Sequence, residues 1–118
     1  RRLAAFKVDP VIIFDNEAST YDTVIEVSGL DRPGLLSELA TIFGEEALNI
    51  TSAHIGGVGE RAYDAFYVRT QAGLKVVEPH KIDRIKAKLE DTLIAHDLEA
   101  PTLITKRKLA RARSSTRR

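Results

Sequence analysis

The 118-residue sequence contains no cysteine, no methionine and no tryptophan. Without cysteine there is no disulfide framework, no thiolate nucleophile and no thiolate metal ligand, and a reducing compartment, the cytoplasm, is expected. Without an initiator methionine, a chain beginning at Arg1 reads as a piece of a longer protein. Histidines are few as well: His54, His80 and His96, with no HxxxH or other paired spacing between them. If His80 and His96 shared one helix they would stand about 24 Å apart, too far to share a metal. No catalytic residue, no metal site and no cofactor of the chain's own are therefore expected. Long apolar runs are also missing. The longest have four residues, as in Val11-Ile12-Ile13-Phe14, against about 20 for a bilayer span. No charged-then-apolar leader precedes them, so neither membrane insertion nor secretion is expected.

What is present suits one domain. The hydrophobic share is 43% and the charged share 30%, enough for a two-layer core under a soluble surface. The net charge of +1 hides an asymmetry. Residues 106–118 carry seven basic residues and no acid, which leaves 11 basic and 17 acidic residues in the remainder. A like-charge block at a terminus is usually a solvated, disordered end, and occasionally an arm for nucleic acid or an acidic partner. The expected organisation is an upstream linker over residues 1–7, a folded domain over 8–97 and a basic, disordered tail over 98–118.

Hydrophobic periodicity supplies the elements. Pro10 opens a β-prone run at Val11-Ile12-Ile13-Phe14, and the polar stretch Asp15 to Thr20 reads as a loop. In the run from Thr23 to Ser28, Ile25 and Val27 share one face of a strand and Glu26 and Ser28 the other. The period changes after Gly29-Leu30-Asp31-Arg32-Pro33-Gly34. Leu36, Leu39, Ala40, Phe43 and Ala47 then form one helical stripe, with Asp31 as the expected N-cap. A strand from Ile50 to Ile55, a glycine turn at Gly56-Gly57-Val58-Gly59 and a returning strand from Arg61 to Thr70 predict a hairpin. A second helix starts at Glu78-Pro79 and carries Ile82, Ile85, Leu89 and Leu93. The order β, β, α, β, β, α predicts a ferredoxin-like α+β two-layer sandwich, an antiparallel sheet with two helices on one face. The edge position left without a strand after the second helix is assigned to Val11 to Phe14, pairing antiparallel with residues 23–28; Leu103-Ile104 is the alternative.

The turn from strand to helix is the candidate site. Its letters match neither a dinucleotide fingerprint nor a P-loop, and no Lys-Ser/Thr pair follows the last glycine. The amides of Gly34, Leu35 and Leu36 at a helix start suit a small carboxylate. An α-amino acid has one, and its ammonium needs an acceptor. Asp31 sits on the turn, and Asn49, which both donates and accepts, starts the strand expected beside it. The alternative is that Asp31 only caps the helix and Asn49 only ends it in a left-handed conformation. The same fold also binds single-stranded RNA on its sheet. However, Arg61 to Val68 matches the aromatic RNA-binding signature poorly: Ala65 stands where an aromatic belongs and Asp64 would set a negative charge in the path of phosphates. The acidic body argues against nucleic acid too.

Val24-Ile25-Glu26-Val27-Ser28-Gly29-Leu30-Asp31-Arg32-Pro33-Gly34-Leu35-Leu36, with Leu48-Asn49-Ile50 and Ser52-Ala53-His54-Ile55, resembles the ACT domain, a ferredoxin-like module that binds small ligands, mostly amino acids. Asp15-Asn16-Glu17-Ala18-Ser19, and Gly59-Glu60-Arg61-Ala62 with Asp64, Phe66, Tyr67 and Val68, narrow the resemblance to the C-terminal ACT domain of bacterial PII uridylyltransferases, over about residues 8–95. The resemblance implies a glutamine-sensing module without activity of its own. Its parent would add and remove uridylyl groups on the nitrogen-signalling protein PII, using magnesium, in catalytic domains upstream. It also implies ligand contacts at Asp31, Arg32, Pro33, Gly34, Leu35 and Leu36, and at Asn49 and Ile50, the latter two often from a neighbouring subunit. Some amino-acid-binding members carry Asn in place of Asp31, and here the acceptor is kept while a donor is lost. ACT modules pair side by side, so a tandem partner or a second copy is expected. A docking module without a ligand is the alternative.

Overall fold

The computed structural model describes residues 9–94. Strand β1 spans Val11–Asp15, β2 Thr23–Leu30, β3 Asn49–Val58 and β4 Arg61–Arg69; helix α1 spans Leu35–Glu45. A second helix, α2, is described over residues 79–94. The four strands form one sheet in the order β1-β2-β4-β3 with every neighbouring pair antiparallel. This is the ferredoxin-like α+β arrangement that the order of elements predicts. The expected edge strand is in place: Ile12 pairs with Val27 and Phe14 with Ile25. The alternative at Leu103-Ile104, the linker and the basic tail lie outside the described residues.

Alternation sorts the sheet into two faces. Ile12, Ile25, Val27, Ala62, Phe66 and Val68 turn toward the helices and join Leu39, Phe43, Ile85, Leu89 and Leu93 in one core. Phe43 meets Phe66 with ring centroids 5.0 Å apart, a tilted aromatic pair at the centre of the two layers. The buried stripe of α1 runs through Leu35, Leu39, Ile42 and Phe43, while Leu36 is 44% exposed. Leu39 and Phe43 of the expected stripe are buried, whereas Leu36, Ala40 and Ala47 are exposed and Leu35 and Ile42 take the inward places. On α2 the expected Ile85, Leu89 and Leu93 are buried, and Ile82 packs beside them.

The end of the sheet where β2 begins is locked by polar contacts. The Thr23 hydroxyl, fully buried, accepts from the Val76 N–H at 2.7 Å and donates to Asn16 Oδ1. Asn16 Nδ2 in turn donates to the Val76 carbonyl at 2.8 Å. Lys75 Nζ donates to the carbonyls of Asn16 and Ser19. The loop that follows β1 is therefore a clamp that fastens the 74–78 segment to β2. Nearby, the buried Glu46 just past α1 accepts a forked pair of bonds from Arg84 Nε and Nη2 and meets Lys88 Nζ at 2.9 Å, so α2 is tied to α1. The Arg84 hydrogen bonds, opposed by burial and helped by Lys88, hold the Glu46 carboxyl at about 2.

One strand stands apart from this packing. All ten residues of β3 are exposed, and it forms an outer edge of the sheet. It also continues through Gly56 and Gly57, which were expected to turn; the reversal is at Gly59–Glu60, with Gly59 at φ 59°.

Candidate functional site

At the far end of β2 the chain turns through residues 31–34 into α1. The Asp31 N–H donates to the Glu60 carbonyl at 2.8 Å, which fastens the turn to the β3–β4 hairpin. Asp31 does not cap the helix. Its Oδ1 accepts from the Arg32 N–H at 2.8 Å, and the N-cap is Gly34, with φ 87° and no side-chain cap. A residue in that left-handed conformation cannot sit inside a helix, so the first turn is pushed past Gly34, and glycine is the residue that adopts it without strain. Of the three amides suited to a carboxylate, that of Leu35 is already bound to the Arg32 carbonyl at 3.2 Å.

Beside this turn lies a cavity of about 330 Å³ lined by Asp31, Arg32, Gly34, Leu35, Leu36 and Ser37, with Ile55 and Gly56 of β3 and Asp64 of β4. Two of its residues are short of partners. The Arg32 side chain is only 14% exposed; Nη1 donates to the Pro33 carbonyl at 2.8 Å and Nη2 lies 2.6 Å from Glu38 Oε1. Its buried Nε has no acceptor among the described residues. Asp64 is 5% exposed, and the one hydrogen bond to its side chain among the described residues comes from the Gly56 N–H at 3.3 Å. Burial pushes the Asp64 carboxyl above the usual aspartate value; the Gly56 N–H pulls it back and the Asp31 charge pushes it further up. A small cavity with a buried cation and a buried anion, each only partly satisfied, matches a ligand that carries both signs.

The structure gathers Asp31, Arg32, Gly34, Leu35 and Leu36 of the expected site around this cavity. Pro33 belongs to the same turn but does not line it. Asn49 and Ile50 lie elsewhere in the chain. Because β2 and β3 both run antiparallel to β4, Asn49 falls opposite Arg69, close to the start of β2 rather than to its end. There its Oδ1 faces Gln71 Nε2 at 3.4 Å. Within one chain Asn49 cannot bridge a ligand held at Asp31. Nor does it end α1, since the left-handed residue after the helix is Ala47, at φ 59°. Of the four lining residues that sequence reasoning did not select, Ser37, Ile55, Gly56 and Asp64, Asp64 is the charged one. Its charge was expected on the open sheet face, but it faces the helices, in the same alternating frame as Ala62, Phe66 and Val68. A lone acid in an apolar frame was the available signal.

The opposite, helix-free face of the sheet holds a shallower trough of about 570 Å³ with Val11, Ile13, Glu26, His54, Arg61 and Tyr63 on its surface. His54 stacks edge-on to Tyr67 at 5.4 Å and Arg61 lies over the Tyr63 ring at 5.7 Å. Arg61 also donates to Ser28 Oγ and to the Asp9 carbonyl, while Glu26 and His54 stay on the surface of the trough. No group of three or more metal-ligating side chains occurs among the described residues, and no described helix is long and apolar enough to cross a membrane.

Comparison with known proteins agrees with this layout. The chain is 48% identical over 117 residues to the bifunctional uridylyltransferase/uridylyl-removing enzyme of Caulobacter vibrioides, which covers 99% of this chain and 12% of that protein. Proteins of the same name from Phenylobacterium zucineum and Gluconobacter oxydans are 47% and 45% identical, over 99% and 86% of this chain. The chain spans only 12%, 12% and 10% of these three relatives. The family model of the ACT domain matches residues 23–92, from the start of β2 well into α2 and including every residue that lines the turn cavity. The chain belongs to the ACT domain family.

Proposed function

We propose that this chain is a regulatory module that senses a free amino acid, glutamine, within a uridylyltransferase/uridylyl-removing enzyme acting on PII in the cytoplasm. The observation that carries the reading is the cavity at the β2–α1 turn, where Arg32 offers a buried, unsatisfied donor for a carboxylate. A cavity of about 330 Å³ lies in the range that holds small ligands. The name shared by the relatives supplies the enzyme, and the ACT resemblance supplies glutamine and PII. The chain itself senses, while the magnesium-dependent chemistry belongs to other domains of the parent.

A second module completes the site. The ten exposed residues of β3 form an edge with free backbone groups, which a like edge covers. In a two-fold antiparallel pairing centred on β3, Asn49 of the partner subunit arrives beside Gly57 and Val58, next to the cavity. This is how Asn49 and Ile50 take part although their own chain holds them at the far end. In the parent a tandem module takes the place of the second copy.

Calorimetric titration of the chain with L-glutamine, with L-glutamate and glycine as controls, together with its mass in solution, tests the reading. Glutamine-selective binding to a dimer is expected, and an Asp31→Ala, Asn49→Ala double variant is expected to lose it. Full affinity in the double variant would remove the mapped site. The exposed Val11, Ile13 and Tyr63 beside the open-face trough favour a second reading, a docking surface without a ligand. A dimer that binds no amino acid would support that reading.

A further inference from the structure

We propose that Asp64 is the anchor for the ammonium group of the bound amino acid, and so the residue that makes the cavity select amino acids over their des-amino counterparts. The inference rests on the amino-acid reading of the turn cavity and adds to it a β4 residue from outside the turn. A carboxylate offers about four acceptor positions, and Asp64 uses one, on a long bond from the Gly56 N–H at 3.3 Å. It forms no ion pair among the described residues, although it is 95% shielded, being only 5% exposed. A buried carboxylate without a cation is costly to keep. Were its only task to hold the Gly56 amide, asparagine would do so without the charge.

The surroundings define the missing cation. Asp31 and Asp64 put two carboxylates on the cavity wall, and the one lining cation, Arg32, already shares its charge with Glu38. No cluster of three metal-ligating side chains exists among the described residues, so the geometry favours an organic cation with hydrogens to donate. Arg32 keeps Nε without an acceptor in the same small space, although its Nη2 is paired with Glu38. An α-amino acid carries ammonium and carboxylate on a single carbon and meets both needs at once.

Asp64→Asn keeps the size of the side chain and an acceptor for the Gly56 N–H but removes the charge. Titrating the wild-type chain and this variant with L-glutamine and with 4-carbamoylbutanoate, which is glutamine without its amine, separates the outcomes. Wild type is expected to prefer glutamine by about tenfold to a hundredfold, the range of a charge-assisted hydrogen bond. The variant is expected to lose that preference by weakening glutamine while leaving carbamoylbutanoate within about threefold. A variant that keeps both the affinity for glutamine and the preference would overturn the role of Asp64 and leave the amino-acid reading standing. Wild type that binds the two equally would do the same. Binding of neither compound by wild type would bring down the amino-acid reading, and the role of Asp64 with it.

Discussion

The two ends of β2 handle buried polar groups in opposite ways. Where the strand begins, Thr23, Asn16 and the Val76 backbone satisfy one another, Lys75 ties in the loop, and the buried Glu46 holds two cations. Where it ends, Arg32 keeps a buried nitrogen without an acceptor and Asp64 a buried carboxylate with one long bond. Both ends belong to one sheet and one core, so the difference is not one of packing quality. Closed polar networks fix a fold, and open ones are kept where something else closes them. The loop motif Asp15 to Ser19, which helped to narrow the resemblance in sequence, belongs to the closed end and has a structural task.

The largest test of this contrast is Thr23→Val, which keeps the shape and deletes the hydroxyl. It strands the buried Val76 N–H and one Asn16 acceptor, at about 1–3 kcal/mol for each buried group left unmade. A loss of about 3 kcal/mol in urea unfolding is expected, with unchanged ligand affinity per folded molecule. If stability falls by less than about 1 kcal/mol, the closed network is not what holds that end.

Next in size is Glu46→Gln. Its partners Arg84 and Lys88 are themselves 54% and 38% exposed, so solvent screening keeps the cost to about 1 kcal/mol at neutral pH. The Glu46 carboxyl sits at about 2 in the folded chain against an ordinary 4.5. A depressed carboxyl stabilises fully above its unfolded value and loses that contribution as pH falls toward the folded one. The gap between wild type and Glu46→Gln should therefore be constant above about pH 4.5 and close toward pH 2. A gap that persists at pH 2 would assign the effect to shape rather than charge.

Much of the core was legible in sequence, because burial leaves a periodic trace, whereas the polar network of the closed end leaves none. The alternation of Ile25 and Val27, and the spacing of Ile85, Leu89 and Leu93, fixed two elements correctly. The edge strand at Val11 to Phe14 followed from topology. Where the reading slipped, backbone conformation was responsible. Gly34 is left-handed, so α1 starts after it, and Leu35 rather than Leu36 opens the stripe that runs on through the expected Leu39 and Phe43; Gly56 and Gly57 are extended, so β3 runs three residues past Ile55. Glycine permits both conformations, and its letter alone does not say which one is used. The turn residues of the site were legible from the strand-to-helix break. Asp64 was passed over although its alternation with Ala62, Phe66 and Val68 was there to read, and the placement of Asn49 required the parallel sense of β2 and β3.

The smallest expected effect sharpens the contrast most. If Asp64 is kept for a ligand, removing its charge should not harm the empty fold. Asp64→Asn is expected to change stability at pH 7 by less than about 1 kcal/mol, in the stabilising direction, because a desolvated charge is removed while an acceptor for the Gly56 N–H remains. The sign with pH is opposite to that of Glu46. A carboxyl raised by burial above its ordinary 3.8 destabilises the fold when ionised, and the burden lifts as pH falls through the folded value. The advantage of the variant should accordingly shrink on acidification, as pH falls through the raised folded value toward 3.8. Parallel urea titrations of both variants from pH 7 down to pH 3 would show two curves converging on wild type from opposite sides. A loss above about 2 kcal/mol in Asp64→Asn would instead make Asp64 a structural group like Thr23, and the two ends of β2 would no longer differ in kind.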